Sequence, residues 1–218
     1  MRLRKYLLNN QAVVTLVLIN LVVYILLNAF PGLSGVFLLD PDLSMVMEKP
    51  WTVVTVFFSH EIHIHVLLNM LLVLVFGTQL VRETHAKVIY FIYILCGLIG
   101  SWTILGYTSF VEYTGGPIAG ASAASFGIVA AYAAIRPDTV ILRSKSKYWL
   151  IALFIVNAVL TIQNPSVSVG GPAHAAGIVL GFIIGRLLLR KLKPLKNAGQ
   201  SSPDDKSMQE DRRETVSK

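Results

Sequence analysis

Small residues fill the stretch Gly120-Ala121-Ser122-Ala123-Ala124-Ser125-Phe126-Gly127, which opens an apolar segment. A second stretch far downstream, Ala173-His174-Ala175-Ala176-Gly177, opens another apolar segment in the same way. Each stretch places one chemically active side chain, Ser122 or His174, just inside a segment of near-membrane length. Ser122 and His174 can form one site only if the fold brings the starts of these two segments to the same side of a bilayer.

Composition identifies the class of protein. Of the 218 residues, 54% are hydrophobic and only 14% are charged, and the mean hydropathy is +0.63. A soluble domain normally carries about 25% charged residues. The sequence therefore predicts an all-α, polytopic membrane protein. Its one cysteine, Cys96, lies in an apolar run and excludes an intramolecular disulfide.

Six apolar stretches qualify or nearly qualify as spanning helices, which need about 17 to 25 residues. They lie at about 11–30, 62–81, 86–108, 119–135, 148–164 and 172–192. The first follows basic residues as a signal peptide does, but it is too long and lacks a convincing cleavage site, so we expect it to be retained. We predict a six-helix membrane domain over 1–194 and a polar, disordered cytoplasmic tail over 195–218.

The basic residues predict the orientation of these helices. With six spans, every lysine and arginine except Lys49 falls on one side of the membrane, and cytoplasmic loops carry this excess. Both termini are therefore expected in the cytoplasm. Because the net charge of +7 is explained by this asymmetry, no nucleic-acid partner is expected. The first loop, 31–61, is unusually apolar, and Trp51 fits an interfacial anchor, so this loop is expected to associate with the membrane. An ordinary exposed loop is the alternative, but a loop this apolar would be poorly solvated.

Four polar side chains fall at one depth in this topology. The second, fourth and sixth helices all run inward, so their first turns share the outer leaflet. His65 and Asn69 are four residues apart and lie on one helical face. Together with Ser122 and His174 they lie about 5 to 10 Å inside the outer boundary. Ionisable groups at this depth are functional candidates, although an intramembrane serine often only packs or bonds to its own helix, and asparagine often joins helices.

Glycine spacing predicts close packing of the fourth and sixth helices. Gly177, Gly181 and Gly185 repeat every four residues and give the sixth helix a groove on one face. The fourth helix offers a similarly thin surface made of Ala123, Gly127, Ala130, Ala131 and Ala134. Backbones that approach this closely can bring Ser122 and His174 within hydrogen-bond reach.

These motifs together resemble the rhomboid family of intramembrane serine proteases. Gly120 to Ala123 is similar to the family's GxSG nucleophile motif, and His174 to Gly181 matches its HxxGxxxG. His60 to Asn69 matches HxxxxHxxxN, and Trp51 stands where the family's loop tryptophan is expected. The resemblance covers about residues 8–192, and the combined spacing is highly specific, whereas GxS alone is weak. Six helices without a seventh resemble the basic bacterial form, in a plasma or inner membrane.

The resemblance implies a serine endopeptidase that works by a Ser–His dyad. Ser122 would be the nucleophile and His174 the general base, with no orienting carboxylate, since Glu61 and Glu112 fall in loops. The oxyanion would be held by the Ser122 backbone N–H and the side chains of His65 and Asn69. Supporting roles fall to Gly120, Phe126, His60, Gly177 and Gly181. No cofactor is implied, and although His60, His63 and His65 are clustered, no metal ion is expected.

Three residues depart from the family pattern. Ala123 replaces the glycine after the nucleophile and adds a methyl group beside the expected oxyanion position. Thr52 replaces the arginine that usually follows the tryptophan, so a contact within the first loop is missing or rebuilt. Phe126 stands where tyrosine often stacks on the base, which keeps the aromatic face and removes a hydroxyl.

The implied substrate is a single-pass membrane protein whose helix unwinds near the outer interface of the bilayer. The fifth helix is expected to act as a lateral gate, and residues 164–171 as a cap or an ordinary turn. The alternative is a catalytically inactive rhomboid-like protein that binds transmembrane helices. A small transporter using His65 and His174 would need polar residues in both leaflets, but the inner helix halves are nearly all apolar. The oligomeric state stays open.

Overall fold

The chain forms six principal helices in a computed structural model, which describes residues 9–111, 113, 115–166 and 168–200 and side chains as far as residue 192. They are α1 (Gln11–Ala29), α2 (His63–Glu83), α3 (Ala86–Thr108), α4 (Ser122–Ile135), α5 (Ser146–Gln163) and α6 (Gly170–Gln200). Five are long and apolar enough to cross a membrane, and α4 is shorter. The predicted all-α polytopic bundle is confirmed. Of the disordered tail predicted over 195–218, residues 195–200 instead continue helix α6, and the remainder lies outside the described residues, as does Glu112.

Helix α4 begins three residues later than the sequence predicts. Gly120 adopts a φ of +155° and donates its N–H to the carbonyl of Val56 at 3.1 Å, and Ile118 pairs with Leu39 in a short bridge. These contacts hold residues 118–120 in an extended path against the first loop. The 14 residues of α4 span about 21 Å, less than the hydrocarbon core of about 30 Å. Helix α4 is therefore too short to cross the hydrocarbon core by itself.

The first loop folds into short helical turns, at Pro31–Leu33, Ser34–Phe37, Leu43–Glu48, Thr52–Thr55 and Val56–Phe58. Helix α3 fixes this loop from inside: Ser101 Oγ donates to the Val53 carbonyl at 2.8 Å, and Tyr93 Oη donates to the Phe57 carbonyl at 2.7 Å. The Val56 carbonyl in turn accepts from Gly120, so the loop links α3 to the residues just before α4.

Thr52, which stands in place of the family's arginine, makes a local side-chain hydrogen bond. It is 3% exposed, and its hydroxyl donates to the Lys49 carbonyl at 2.8 Å. Two neighbouring side chains instead reach the turn at Ser34–Phe37: Lys49 Nζ donates to the Gly35 carbonyl and Trp51 Nε1 to the Val36 carbonyl, both at 2.9 Å. Lys49 and Trp51 thus tie this part of the loop to the turn at Ser34–Phe37.

Helix α4 occupies the centre of the bundle, and every residue in it except Phe126 is buried. Helix α6 packs along it through the predicted glycine groove. A Cβ added at Gly177, Gly181 or Gly185 would collide with a carbonyl oxygen of α4. Those oxygens belong to Ala123, Gly127 and Ala131, which are spaced four residues apart like the glycines. The predicted groove is confirmed by this contact.

Helix α5 lies at the edge of the bundle. Only 6% of its spanning window is buried, compared with 50% for α3. A two-stranded hairpin, β1 (Val140–Ile141) and β2 (Ser144–Lys145), joins α4 to α5. At that end Asp138 pairs with Lys147 at 2.7 Å and Lys145 at 3.4 Å, and these two ammonium groups lower the pKa of the carboxyl. The spanning part of α5 is the least buried of the five membrane-length helices among the described residues.

Candidate active site

The structure brings Ser122 and His174 together. Ser122 is the first residue of α4, and His174 lies one turn into α6. The Ser122 Oγ and the His174 Nε2 form a hydrogen bond. Ser122 is only 7% exposed, so the pair is largely enclosed by protein. Close packing along the glycine groove accounts for this approach, because the next turn of each helix is already in backbone contact.

The ring of Phe126 packs against the imidazole of His174. Its ring centroid is 4.9 Å from that of His174, with the planes inclined at 57°. Residue 126 follows Ser122 by four positions, so both side chains project from the same face of α4. The ring limits the orientations available to the imidazole on that side.

Asn157 of α5 supplies a contact that the sequence interpretation missed. Its Oδ1 forms a hydrogen bond with Nδ1 of His174, on the ring edge opposite Ser122. The sequence predicts no orienting carboxylate beside His174, and the structure places a neutral amide there. One signal was available: Asn157 interrupts an apolar run of α5 at the depth expected for the other polar residues.

Asn69 lies within a buried hydrogen-bond network. Its Nδ2 donates to the His65 carbonyl at 3.0 Å and contacts His60 Nε2 at 3.3 Å, while its Oδ1 accepts from Ser125 Oγ at 2.7 Å. Asn69 is 2% exposed, and both of its amide hydrogens are directed at these partners. Ser125, the other serine of the motif, is fully buried and faces Asn69 rather than His174.

His60 and His65 lie edge to face, with ring centroids 5.3 Å apart. His60 Nε2 accepts from the backbone N–H of Ala121 at 3.5 Å, and its Nδ1 has no hydrogen-bond partner among the described residues. Burial, reinforced by the neighbouring His65, lowers the pKa of His60 to about 3. His60 is therefore neutral and braces the turn before Ser122, whereas His65 borders the same cavity as Ser122.

Residue 120 must be glycine for two reasons, its backbone conformation and the His65 ring beside it. Its φ of +155° lies in a region that side chains rarely permit. A Cβ at this position would also lie 2.8 Å from His65 Cε1. The first glycine of the motif thus makes room for the histidine ring next to the nucleophile.

The methyl group of Ala123 is accommodated by α3. A Cβ added at Gly100 would lie 2.5 Å from the Ala123 Cβ, so Gly100 provides the space that the alanine fills. Ala123 is 6% exposed. The departure from the family motif is therefore matched by a glycine on a neighbouring helix, which the sequence interpretation had not singled out.

An apolar cavity of about 480 Å³ extends from the Ser–His pair between α2 and α5. Its polar end is formed by Ser122, His174, His65, Asn69 and Asn157. The remaining wall consists of Leu68, Leu71, Leu72, Val75, Phe76, Phe126, Leu142, Trp149, Ala152, Leu153 and Val156. The cavity thus joins a few polar groups to a long hydrophobic surface.

A protein-family model described as the Rhomboid domain matches residues 47–191, which is more than half of the chain. No curated protein sequence matches the chain. The matched region contains α2, α3, α4 and α5, the spanning part of α6, and all the candidate site residues named above. Together with the apolar bundle, this match makes the chain an integral membrane protein. It belongs to the rhomboid family, whose members include intramembrane proteases.

Proposed function

We propose that this protein is an intramembrane serine endopeptidase, with Ser122 as nucleophile and His174 as general base. The observation that carries the proposal is the hydrogen bond between Ser122 Oγ and His174 Nε2. A serine hydroxyl is a weak nucleophile until a neighbouring base accepts its proton. The His174 imidazole can serve as this base, because it is hydrogen-bonded to the Ser122 hydroxyl and packed against Phe126.

The reaction follows from these two side chains. His174 Nε2 takes the hydroxyl proton as Ser122 Oγ bonds to the scissile carbonyl carbon, which gives a tetrahedral oxyanion. When this intermediate collapses, the C–N bond breaks and His174 returns the proton to the leaving amine. Water then attacks the acyl-enzyme, with His174 again as base, and the free serine is regenerated.

The oxyanion would form beside the N-terminus of α4. The first-turn amides of a helix lack acceptors within that helix, and the helix dipole favours negative charge there. The Ser122 N–H and the His65 side chain are the donors best placed. Asn69 joins them only if its Nδ2 gives up a present partner, His60 Nε2 or the His65 carbonyl. In other serine enzymes the loss of one such donor lowers kcat about 10²- to 10³-fold.

The substrate we propose is a single-pass transmembrane protein. The apolar cavity between α2 and α5 offers a surface suited to a hydrophobic segment arriving from the lipid. Because α5 is the least buried of the spanning helices, it can move outward at the smallest cost in packing and serve as the lateral gate. A helix that unwinds at small or helix-destabilising residues would then expose its backbone to Ser122.

The charge distribution supports a multi-pass orientation with both termini in the cytoplasm. In that orientation the starts of α2, α4 and α6 lie in the outer leaflet, and the site opens to the extracytoplasmic side. Water needed for hydrolysis would reach Ser122 from that side without crossing the hydrocarbon core.

A fluorophosphonate probe and a helical transmembrane substrate test the proposal on the purified protein in detergent. We expect labelling and cleavage in the wild type, and neither in Ser122→Ala or His174→Ala. Ser125→Ala is the matched control and should still be labelled. Labelling that persists in Ser122→Ala would refute the assignment. A folded wild type that binds the substrate without labelling or cleavage would instead support the inactive, helix-binding alternative.

A further inference from the structure

Asn157 is held by α5 so that its two amide ends have different partners. Its Nδ2 donates to the Leu153 carbonyl at 2.7 Å, one turn earlier on the same helix. Its Oδ1 faces His174 Nδ1. A carbonyl oxygen can only accept a hydrogen bond, so the amide end facing Leu153 must be the NH₂ group. The orientation of the Asn157 amide is therefore fixed by its own helix.

This orientation determines which nitrogen of His174 carries the proton. Because Asn157 Oδ1 can only accept, the Nδ1 that it contacts must bear hydrogen. In a neutral imidazole the other nitrogen, Nε2, then holds a lone pair. Nε2 is the atom that faces Ser122 Oγ, so the ring is set in the form that can accept the serine proton.

We propose that Asn157 is a positioning residue for the reaction, which selects the Nδ1–H tautomer of His174 and fixes the ring against Ser122. This inference rests on the proposed protease function. When Nε2 takes the serine proton, the Asn157 oxygen accepts a stronger, charge-assisted hydrogen bond from the imidazolium. A neutral amide does not take the proton itself, so the base can deliver it to the leaving amine.

The position of Asn157 depends on how α5 meets α6. The Thr161 hydroxyl donates to the Asn157 carbonyl at 2.8 Å, and a Cβ added at Gly171 would collide with Thr161. Gly171 thus allows the outer end of α5 to lie against α6 at this point. Since the rest of α5 is little buried, an outward movement of this helix would withdraw the amide oxygen from His174.

Two near-isosteric variants and a control on the same helix test the proposal. Asn157→Leu removes the acceptor, Asn157→Asp keeps an oxygen facing Nδ1, and Val159→Ala shortens an exposed side chain two residues away. We expect the fluorophosphonate labelling rate to fall about 10- to 100-fold in Asn157→Leu, as expected for the loss of a hydrogen bond to a charged group. Asn157→Asp should be less affected and Val159→Ala unaffected. For substrate cleavage, kcat should fall with little change in KM.

A spectroscopic measurement separates positioning from mere structural support. The ¹⁵N NMR spectrum of His174, assigned by its loss in His174→Ala, should show the Nδ1–H tautomer in the wild type and a mixture in Asn157→Leu. A folded Asn157→Leu protein with wild-type labelling and an unchanged tautomer would overturn the inference. If Asn157→Leu does not fold, the wild-type spectrum alone still tests the inference, and a His174 ring in the Nε2–H tautomer would overturn it. If the wild type itself is not labelled, the proposed function fails instead.

Discussion

Gly181→Ala should push α4 and α6 apart, although it adds only one methyl group. A Cβ at Gly181 would lie 2.6 Å from Gly127 Cα and 2.7 Å from its carbonyl carbon. Ordinary carbon–carbon contacts are about 3.5–4.0 Å, so the helices must separate locally by about 1 Å. The obstructing atoms belong to the backbone and cannot rotate away. The added methyl group therefore acts on the spacing of the two helices.

The magnitude follows from two opposing effects. Overpacking a tight interior costs about 1–3 kcal/mol, while alanine in place of glycine stabilises a helix by about 0.5–1 kcal/mol. We expect a net loss of about 1–2 kcal/mol in the free energy of unfolding. His174 lies two turns from Gly181 on α6, so the separation also withdraws Nε2 from Ser122. A misplacement of about 1 Å can lower a reaction rate about 10²-fold.

Gly106→Ala provides the matched control. Gly106 lies in α3, and a Cβ there would meet no atom of the described residues within 4 Å. It receives the same helix-favouring methyl group without the collision, so it should unfold at or slightly above the wild-type temperature. The assay is thermal unfolding in one detergent together with the time course of fluorophosphonate labelling. Equal unfolding temperatures and labelling rates for Gly181→Ala and Gly106→Ala would refute the proposed role of the glycine groove.

Three further substitutions probe the support around the site. Gly120→Ala should lower the free energy of unfolding by about 1–3 kcal/mol, because residue 120 has a strained backbone conformation for any side chain. It should also slow probe labelling, because the new Cβ meets His65. Unchanged labelling and an unchanged unfolding temperature would count against this prediction. Ser125→Ala removes the hydroxyl that donates to Asn69 Oδ1 and should lower the free energy of unfolding by about 1–3 kcal/mol. Thermal unfolding measures this effect, and an unshifted transition would show that the hydrogen bond does not stabilise the fold. The pKa of His60 is about 3 in the folded protein and 6.5 in the unfolded chain, so the unfolded state takes up a proton first as the pH falls. The contribution of His60 to the free energy of unfolding is therefore complete above pH 6.5 and is lost as the pH falls towards 3. The unfolding temperature of the wild type should decline more steeply over this range than that of His60→Gln, and parallel curves would contradict this prediction.

The first loop positions the two residues that precede the nucleophile. Its Val56 carbonyl holds Gly120, and its His60 holds the N–H of Ala121, the two residues before the nucleophile. Both contacts come from the loop rather than from the helices that supply Ser122 and His174. Substitutions that loosen the loop should therefore act on the position of Ser122.

Much of this protein could be predicted from local sequence patterns. Hydropathy predicts where the long apolar helices lie, since a bilayer sets the length of an apolar helix. The four-residue spacing of Gly177, Gly181 and Gly185 predicts the close contact with α4, because this spacing places all three on one helical face. The pairing of Ser122 with His174 follows from their common depth and from the family resemblance.

Contacts that depend on the rotation of one helix against another could not be predicted in this way. The approach of Asn157 to His174, the match of Gly100 to the Ala123 methyl group, and the commitment of the Asn69 amide to His60 and the His65 carbonyl are all of this kind. The late start of α4 is another, because hydrogen bonds from a distant loop decide it. Sequence alone determined which segments form long apolar helices and which polar side chains stand near their starts, since these are properties of single helices. Only the tertiary structure decided which of those side chains meet, because packing between helices sets their rotation and spacing.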